Sequence, residues 1–395
     1  MSSQFLWRKH TLLNAVCTAG LFAGAGSAVH AQLAYTIGGF LDESIAGYRD
    51  SNGSRLIQMQ DSAIFPTKFF FRGTEDLGGG LSANFSLDSL ISLSTGNLDP
   101  QSRGAMFENS AWVGMRKSGL GFFRMGRQND FSFDYFLIGG IDPATGVAGG
   151  MLNFRTGSFG ADLLGVSGPA QIAGAIAGGP YPPIINNGVP TGLGAINWDR
   201  VGGKRMSNAV KVVSDEFGGF SVGAMYSFGG VAGDFQNSSG KSVALSFRAQ
   251  ETRAAVVYTE QNYSPIDSGH GGIANLLAGV RTKLFGFTLA GMYSQARNTF
   301  TGARIYALAG GAGYDFAPAW NLGAAYTYEN GNALLKDIAI NQAAVQLTHA
   351  LSKTTAIYLA GVFQRTNGAY PAEIGTAVAA GKIQSVAALG MQLRF

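Results

Sequence analysis

The 395-residue sequence predicts an all-β fold, a sixteen-stranded antiparallel transmembrane β-barrel, and three observations point there. Runs of about ten residues alternate apolar and polar side chains with period two, which suits a wall with lipid on one side and water on the other. The connections between these runs alternate short and long. The N-terminus has the form of an export signal.

That signal comes first along the chain. Arg8, Lys9 and His10 precede a mostly apolar stretch at 12–25, and Val29-His30-Ala31 supplies a cleavage site before Gln32. Residues 1–31 therefore read as a secretory signal peptide and 32–395 as the barrel. Cleavage would remove the single cysteine, Cys17, and leave His270 and His349 as the histidines. Disulfide frameworks, thiol catalysis and thiolate metal sites are thereby excluded. The formal net charge of +4 is a small excess of bases and lacks the clustered stripes of a nucleic-acid binder. A helical membrane span fares no better: residues 163–185 are uncharged, but Pro169, Pro180, Pro182 and Pro183 break them, so they read as an irregular loop.

Short connections fall at 73–79, 117–119, 215–218, 250–251, 285–286, 318 and 352–353. Long ones fall at 48–63, 94–103, 129–204, 230–239, 263–271, 299–303, 331–337 and 367–382. The runs between them number about sixteen, with all short turns at one rim and all long loops at the other. In the run from Phe220 to Phe228, one face carries Phe220, Val222, Ala224, Tyr226 and Phe228, and the other Ser221, Gly223, Met225 and Ser227. Further along, Ala343, Val345 and Leu347 oppose Gln342, Ala344, Gln346 and Thr348. The last run sets Ala387, Leu389, Met391, Leu393 and Phe395 against Ala388, Gly390, Gln392 and Arg394; it must pair with the first strand, near 35–41, to remove the open edge. A soluble β-sandwich would show similar alternation but would need a second sheet's worth of bulky core residues.

Several blocks resemble the Gram-negative general porins of the betaproteobacterial type. They are Arg72-Gly-Thr-Glu-Asp-Leu-Gly-Gly-Gly-Leu81, Ala111-Trp-Val-Gly114 with Gly121-Phe-Phe-Arg-Met-Gly-Arg-Gln128, Asn208-Ala-Val-Lys211, Gly219-Phe-Ser-Val-Gly-Ala-Met-Tyr226, Leu351-Ser-Lys-Thr-Thr355, Gln364-Arg365 and the final Phe395. Thr354 departs from the pattern, which has a basic residue after the lysine. The resemblance implies a homotrimeric outer-membrane barrel, surrounded by lipid and lipopolysaccharide, through which small hydrophilic solutes and ions diffuse passively. It also implies that the third long loop folds into the lumen, that the terminal aromatic, Phe395, is read by the barrel-assembly machinery, and that there is no catalysis, cofactor or metal.

Selectivity in such a barrel resides at the narrowest ring of the lumen. Alternation turns Phe69 and Phe71 to lipid and Lys68, Phe70 and Arg72 inward, because an arginine at the lipid midplane costs roughly 2–4 kcal/mol. The same reasoning places Arg124, and Arg205, Ser207, Ala209 and Lys211, on the inner face. Lys68, Arg72, Arg124, Arg205 and Lys211 form the expected cationic wall. Asp130, Asp134 and Asp142 of the third loop, with Asp162 and Asp199 beyond, would face it across a transverse field or fix the loop by hydrogen bonds. The anion-selective members of the family are similar at Lys68 and Arg205; Glu108 and Asn109, where they tend to carry bases, weaken the wall and predict weak anion preference or none.

The loop at 129–204 is longer than the resemblance implies, and residues 163–198 carry no charge at all. It could lie over the mouth or at a subunit contact, or form an apolar plug that makes the barrel a substrate-specific channel. Other motifs carry less. Gly219-Phe-Ser-Val-Gly223 matches a nucleophile elbow, but Ser221 falls mid-strand. The two histidines lack partners at metal-ligand spacing, and the glycines within strands suggest close backbone approach rather than a phosphate loop.

Overall fold

The computed structural model describes residues 33–50, 52–98, 106–153, 205–264, 266–375 and 377–395, together with 159, 162, 163, 165 and two short strands between 184 and 191. The expected signal peptide, most of the uncharged stretch and Asp199 lie outside the described residues.

Before the long third loop the strands are β1 (Leu33–Asp50), β2 (Arg55–Asp61), β3 (Lys68–Gly78), β4 (Leu81–Leu90), β5 (Ser110–Lys117) and β6 (Gly121–Asn129). The loop holds a π-helical turn (Phe133–Ile138), the one-turn helix α1 (Pro143–Gly146), a 3-10 turn (Gly150–Asn153), and a hairpin of β7 (Ile184–Asn186) and β8 (Val189–Thr191). Beyond it come β9 (Arg205–Ser214), β10 (Phe220–Ser227), β11 (Gly240–Ala249), β12 (Thr252–Asn262), β13 (Gly272–Leu284), β14 (Phe287–Asn298), β15 (Arg304–Ala317), β16 (Trp320–Gly331), β17 (Ala339–Ala350) and β18 (Thr355–Thr366). A small hairpin of β19 (Glu373–Ile374) and β20 (Ala377–Val378) precedes the last strand, β21 (Ile383–Arg394).

Neighbouring strands pair antiparallel around a closed sheet of seventeen segments, which form sixteen staves because β2 and β3 are halves of one. β2 pairs the upper part of β1 from Glu43↔Asp61 to Arg49↔Arg55, and β3 pairs its lower part from Leu33↔Glu75 to Phe40↔Lys68. The expected long loop at 48–63 is thus a tight hairpin. Its polar residues had hidden a strand: Ile57 and Met59 face outward while Gln60 is buried inward. The interruption at 62–67 contains Pro66, which has no N–H for a ladder. Gly73, expected in a turn, lies inside β3, and the chain turns just after Gly78.

Closure follows the expected seam. β21 pairs β1 from Phe40↔Arg394 to Asp50↔Gln384. The Phe395 N–H donates to the Gly39 carbonyl at 3.2 Å, and the Phe395 carbonyl accepts from Gly39 N–H at 3.0 Å. The Phe395 ring lies over Gly39, where a Cβ would come within 2.6 Å of it.

The outer face is apolar. Ile37 is 73% exposed and Val222 57%, while Val243, Val256, Leu308, Leu322, Val345, Leu359 and Leu389 are exposed along the same girdle. Tyr226, Phe228 and Phe235 cluster at one end of β10, and Phe220 packs on Phe247 at the other. Aromatics therefore stand at both ends of that strand's lipid face, as its alternation predicts. The buried residues lie inside, and much of that core is the third loop packed on the inner wall.

Deleting Phe395 removes two seam hydrogen bonds and the ring that covers Gly39. The expected outcome is a lower yield of assembled, heat-modifiable barrel on gels, with unchanged conductance in the channels that do form.

Candidate functional site: the lumen constriction

The segment 130–153 packs along the inner wall. At its root Phe131, Phe136, Leu137 and Ile141 bury themselves against Met206, Ala209, Met225, Val257 and Leu277. Further on, the Gly149 N–H donates to Gln346 Oε1 at 3.1 Å on β17, and the Leu152 N–H donates to the Ala63 carbonyl at 2.9 Å in the β2–β3 break. Strand glycines make room for this path. A Cβ on Gly223 would come within 2.3 Å of the Phe131 ring, and one on Gly279 within 2.7 Å of Ile141 Cγ2. Gly323 is equally close under the Val147 carbonyl. The glycines read as sites of close backbone approach are seats for the loop.

Asp130 is fully buried at the start of this path and accepts from Ser132 Oγ and from the Phe133 N–H at 3.1 Å. Burial raises its carboxyl pKa above the usual range. Asp134 pairs with Lys211 at 2.6 Å and with Arg124 at 3.8 Å. Lys211, almost fully buried, also donates to the Asn129 carbonyl and sits 4.2 Å over the Phe131 ring. Asp142 is the N-cap of α1, its carboxylate accepting the Ala144 N–H at 3.2 Å. Asp162 bonds Lys336 at 3.0 Å and the Tyr370 hydroxyl. The loop acids thus anchor the loop; they do not form a row of free carboxylates opposite the wall.

The wall bases are paired as well. Asp88, buried on β4, bridges Lys68 at 3.4 Å and Arg72 at 2.8 Å. Arg72 remains 45% exposed and stacks on Phe70 at 3.9 Å. Arg124 lies 5.2 Å from the Trp112 and Phe122 rings. Arg205 does not share the alternation of Lys211. The ladder shifts between Gly126 and Gln128, and Asn208 adopts a positive φ, so Met206 takes the buried position and Ser207 is exposed. Arg205 is instead held by Glu108 at 3.8 Å and Asn109 at 3.0 Å, while Glu108 also pairs with Arg127 at 3.2 Å. Glu108 offsets the bases beside it, as its place in the sequence suggests.

Sequence reasoning missed the other side of the aperture. Phe40 and Phe65 contact at 5.1 Å between centroids, and Arg394 lies 5.2 Å over Phe40. Across from them stand Leu137 and Ile138 of the loop, with Arg281 beside Gly140. Together they enclose a cavity of about 230 Å³. Asp42, buried behind it, accepts from the Ile64 and Phe65 N–H groups, the Tyr358 hydroxyl and the Gln392 amide. Among the described residues Arg253, Arg281 and Arg394 form no ion pair, and all three lie on the inner alternation of their strands. Arg394 was legible on the polar face of the last run; its freedom from a partner was not.

Among the described residues neither histidine stands in a cluster of metal-ligating side chains. His270 pairs with Asp234 at 3.0 Å, and His349 stacks on Trp320 and reaches the Ala319 carbonyl. Ser221 is in β10 and donates to the Ser214 carbonyl.

A closed sixteen-strand barrel with a lipid-facing exterior and a polar lumen narrowed by an inserted loop is a channel of the outer-membrane class. The chain matches the Gram-negative porin family over residues 15–369 and belongs to that family, which is an outer-membrane one and not a family of enzymes. It is 32% identical over 150 residues to an outer membrane porin protein of Bordetella pertussis, a stretch that covers 34% of this chain and 37% of that relative's length. Its fold is similar to the anion-selective porin of Comamonas acidovorans, with a TM-score of 0.67 at 20% identity, over 92% of this chain and 100% of the other. The trimer form of OmpT of Vibrio cholerae is also similar, with a TM-score of 0.56 at 11% identity over 92% and 99%.

Asp88→Asn should release Lys68 and Arg72 from their shared counter-ion. The reversal potential in a KCl gradient is expected to move toward chloride, and the barrel to unfold at a lower temperature because Lys68 is left buried without its partner. Gly223→Val should push Phe131 off its seat. Single-channel recordings are expected to show a larger or noisier current, whereas an unaltered trace would mean the loop is held without that contact.

Proposed function

We propose that this porin forms a water-filled channel for passive diffusion of small hydrophilic solutes and ions, with a modest preference for anions, and that it works as a homotrimer in outer-membrane lipid and lipopolysaccharide. The carrying observation is the charge balance of the constriction. Arg253, Arg281 and Arg394 enter no ion pair among the described residues. Of the acids on the same walls, Asp88, Glu108 and Asp134 are paired and Asp42 is saturated by hydrogen-bond donors, while Glu251 and Asp315 stand near Arg253 and Arg281 and offset part of their charge. A passing ion therefore meets a net positive balance, to which the shared acids Asp88 and Asp134, each serving two bases, also contribute. The anion-selective relative and the trimeric form of another support the reading by analogy of fold. Phe395, with its ring at the seam, is the segment we assign as the signal for the barrel-assembly machinery.

A second reading, a substrate-specific channel narrowed by the third loop, is favoured by the apolar loop residues Leu137 and Ile138 at the aperture. Among the described residues the lumen is narrowed by 130–153; most of the uncharged stretch lies outside them. Liposome swelling separates the readings, since a uniform size cut-off across sugars, amino acids and organic acids supports general diffusion.

Each unit charge acts on an ion ~5 Å away with about 0.8 kcal/mol in a water-like medium, or roughly fourfold in local concentration. The double variant Arg281→Gln, Arg394→Gln should therefore lose its anion preference in reversal-potential measurements, and do so most clearly at low salt. Retained anion preference would place the selectivity elsewhere.

A further inference from the structure

We infer that the cavity between the third loop and β1 is a subsite for a planar aromatic carboxylate, a proposal that rests on the diffusion-channel reading and names a solute class for it. The cavity has two chemically distinct kinds of lining. One is apolar: Phe40 and Phe65, inclined at 52° to each other, face Leu137 and Ile138. The other is cationic: Arg394 reaches over the Phe40 ring and Arg281 comes up beside Gly140, neither with an ion-pair partner among the described residues.

Size and chemistry fit one ring bearing one carboxylate. A dry cavity of about 150 Å³ holds benzene, and this one is about 230 Å³ and open to the lumen. A ring would find edge or face contact with two aromatics, which prefer centroid distances of about 4.5–7 Å. Its carboxylate would find two guanidiniums whose forked donors suit that shape. An aliphatic anion satisfies only the guanidiniums, and a neutral aromatic only the rings.

The wall is also rigid where the ring would lie. Asp42 binds the Ile64 N–H at 2.9 Å and the Phe65 N–H at 2.6 Å, and is itself held by Tyr358 Oη at 2.6 Å and Gln392 Nε2 at 3.0 Å. Those four donors occupy the one carboxylate that borders the cavity. They fix the backbone carrying Phe65, and preorganisation of that kind lowers the entropy cost of binding. Ile138, 48% exposed, is presented from the loop without having to move.

The experiment uses the full-length channel in planar bilayers at neutral pH, with sodium benzoate, sodium acetate and benzyl alcohol as probes. Benzoate is expected to reduce chloride current in a saturable way at concentrations where acetate and benzyl alcohol do not. Phe65→Leu and Arg394→Gln are each expected to raise the half-blocking benzoate concentration by about tenfold while KCl conductance shows that the barrel has formed. Benzoate and acetate acting alike on the unaltered channel would overturn the subsite. So would a benzoate block that neither variant weakens. Failure of the wider reading is distinguishable, because it would appear as absence of KCl conductance or as cation preference before any benzoate is added.

Discussion

The constraint on which everything else rests is that no backbone N–H or C=O can be left unpaired in hydrocarbon. It dictates closure, and closure is achieved where β21 meets β1 and the Phe395 main chain bonds Gly39. Closure with sixteen staves has its own consequence. A barrel of eight strands can be filled by its own side chains, whereas sixteen leave an aqueous interior. Something else must narrow that interior, and here a segment of main chain does. It brings its own polar backbone with it, so Ala63, Gln346 and Gln342 on the wall are used to satisfy loop groups. Glycines at Gly223, Gly279 and Gly323 let it approach the wall closely.

Burial of charge then decides what is left for a solute to see. Lys211 is buried against the loop and requires a counter-ion; Asp134 supplies it and in doing so ties the loop root to β9. Lys68 is buried on β3, and Asp88 answers it. Each acid is shared with a second base, Asp88 with Arg72 and Asp134 with Arg124, so each cluster keeps one net positive charge. On the proposed reading, the guanidiniums without an ion-pair partner, on β12, β13 and β21, add to the field that a solute meets at the aperture.

That division explains how far the sequence could be read. Period-two alternation exposed most strands, the lipid face, the inward direction of Lys68 and Arg72 and the seam, because each depends on parity along a single strand. β2 was obscured since its inner positions, Gln58 and Gln60, resemble loop residues, and the turn residues before it lengthen the polar run. The bulge at Asn208 reset the parity that had assigned Arg205, and nothing in a single strand announces a bulge. Asp142 was misassigned although Asp142-Pro143 is a helix-start signal, with Pro at the first helical position. Which bases remain unpaired is a property of neighbours across the sheet and of the loop's route, so alternation alone could not have shown it.

Asp42 shows how tightly these features are coupled. It lies on β1, bonds Tyr358 on β18 and Gln392 on β21, and receives the Ile64 and Phe65 amides from the break between β2 and β3. Nearby Ala63 accepts from the Leu152 amide of the loop. The seam, the broken stave and the loop's anchorage therefore converge on one carboxylate. A barrel whose second strand ran unbroken would have those amides in the ladder, and Phe65 would follow the regular alternation of the wall. The interruption turns Phe65 toward Phe40 and offers the loop an anchor at Ala63. The aperture is accordingly shaped from both sides, by the loop that crosses the lumen and by a fault in the wall that receives it.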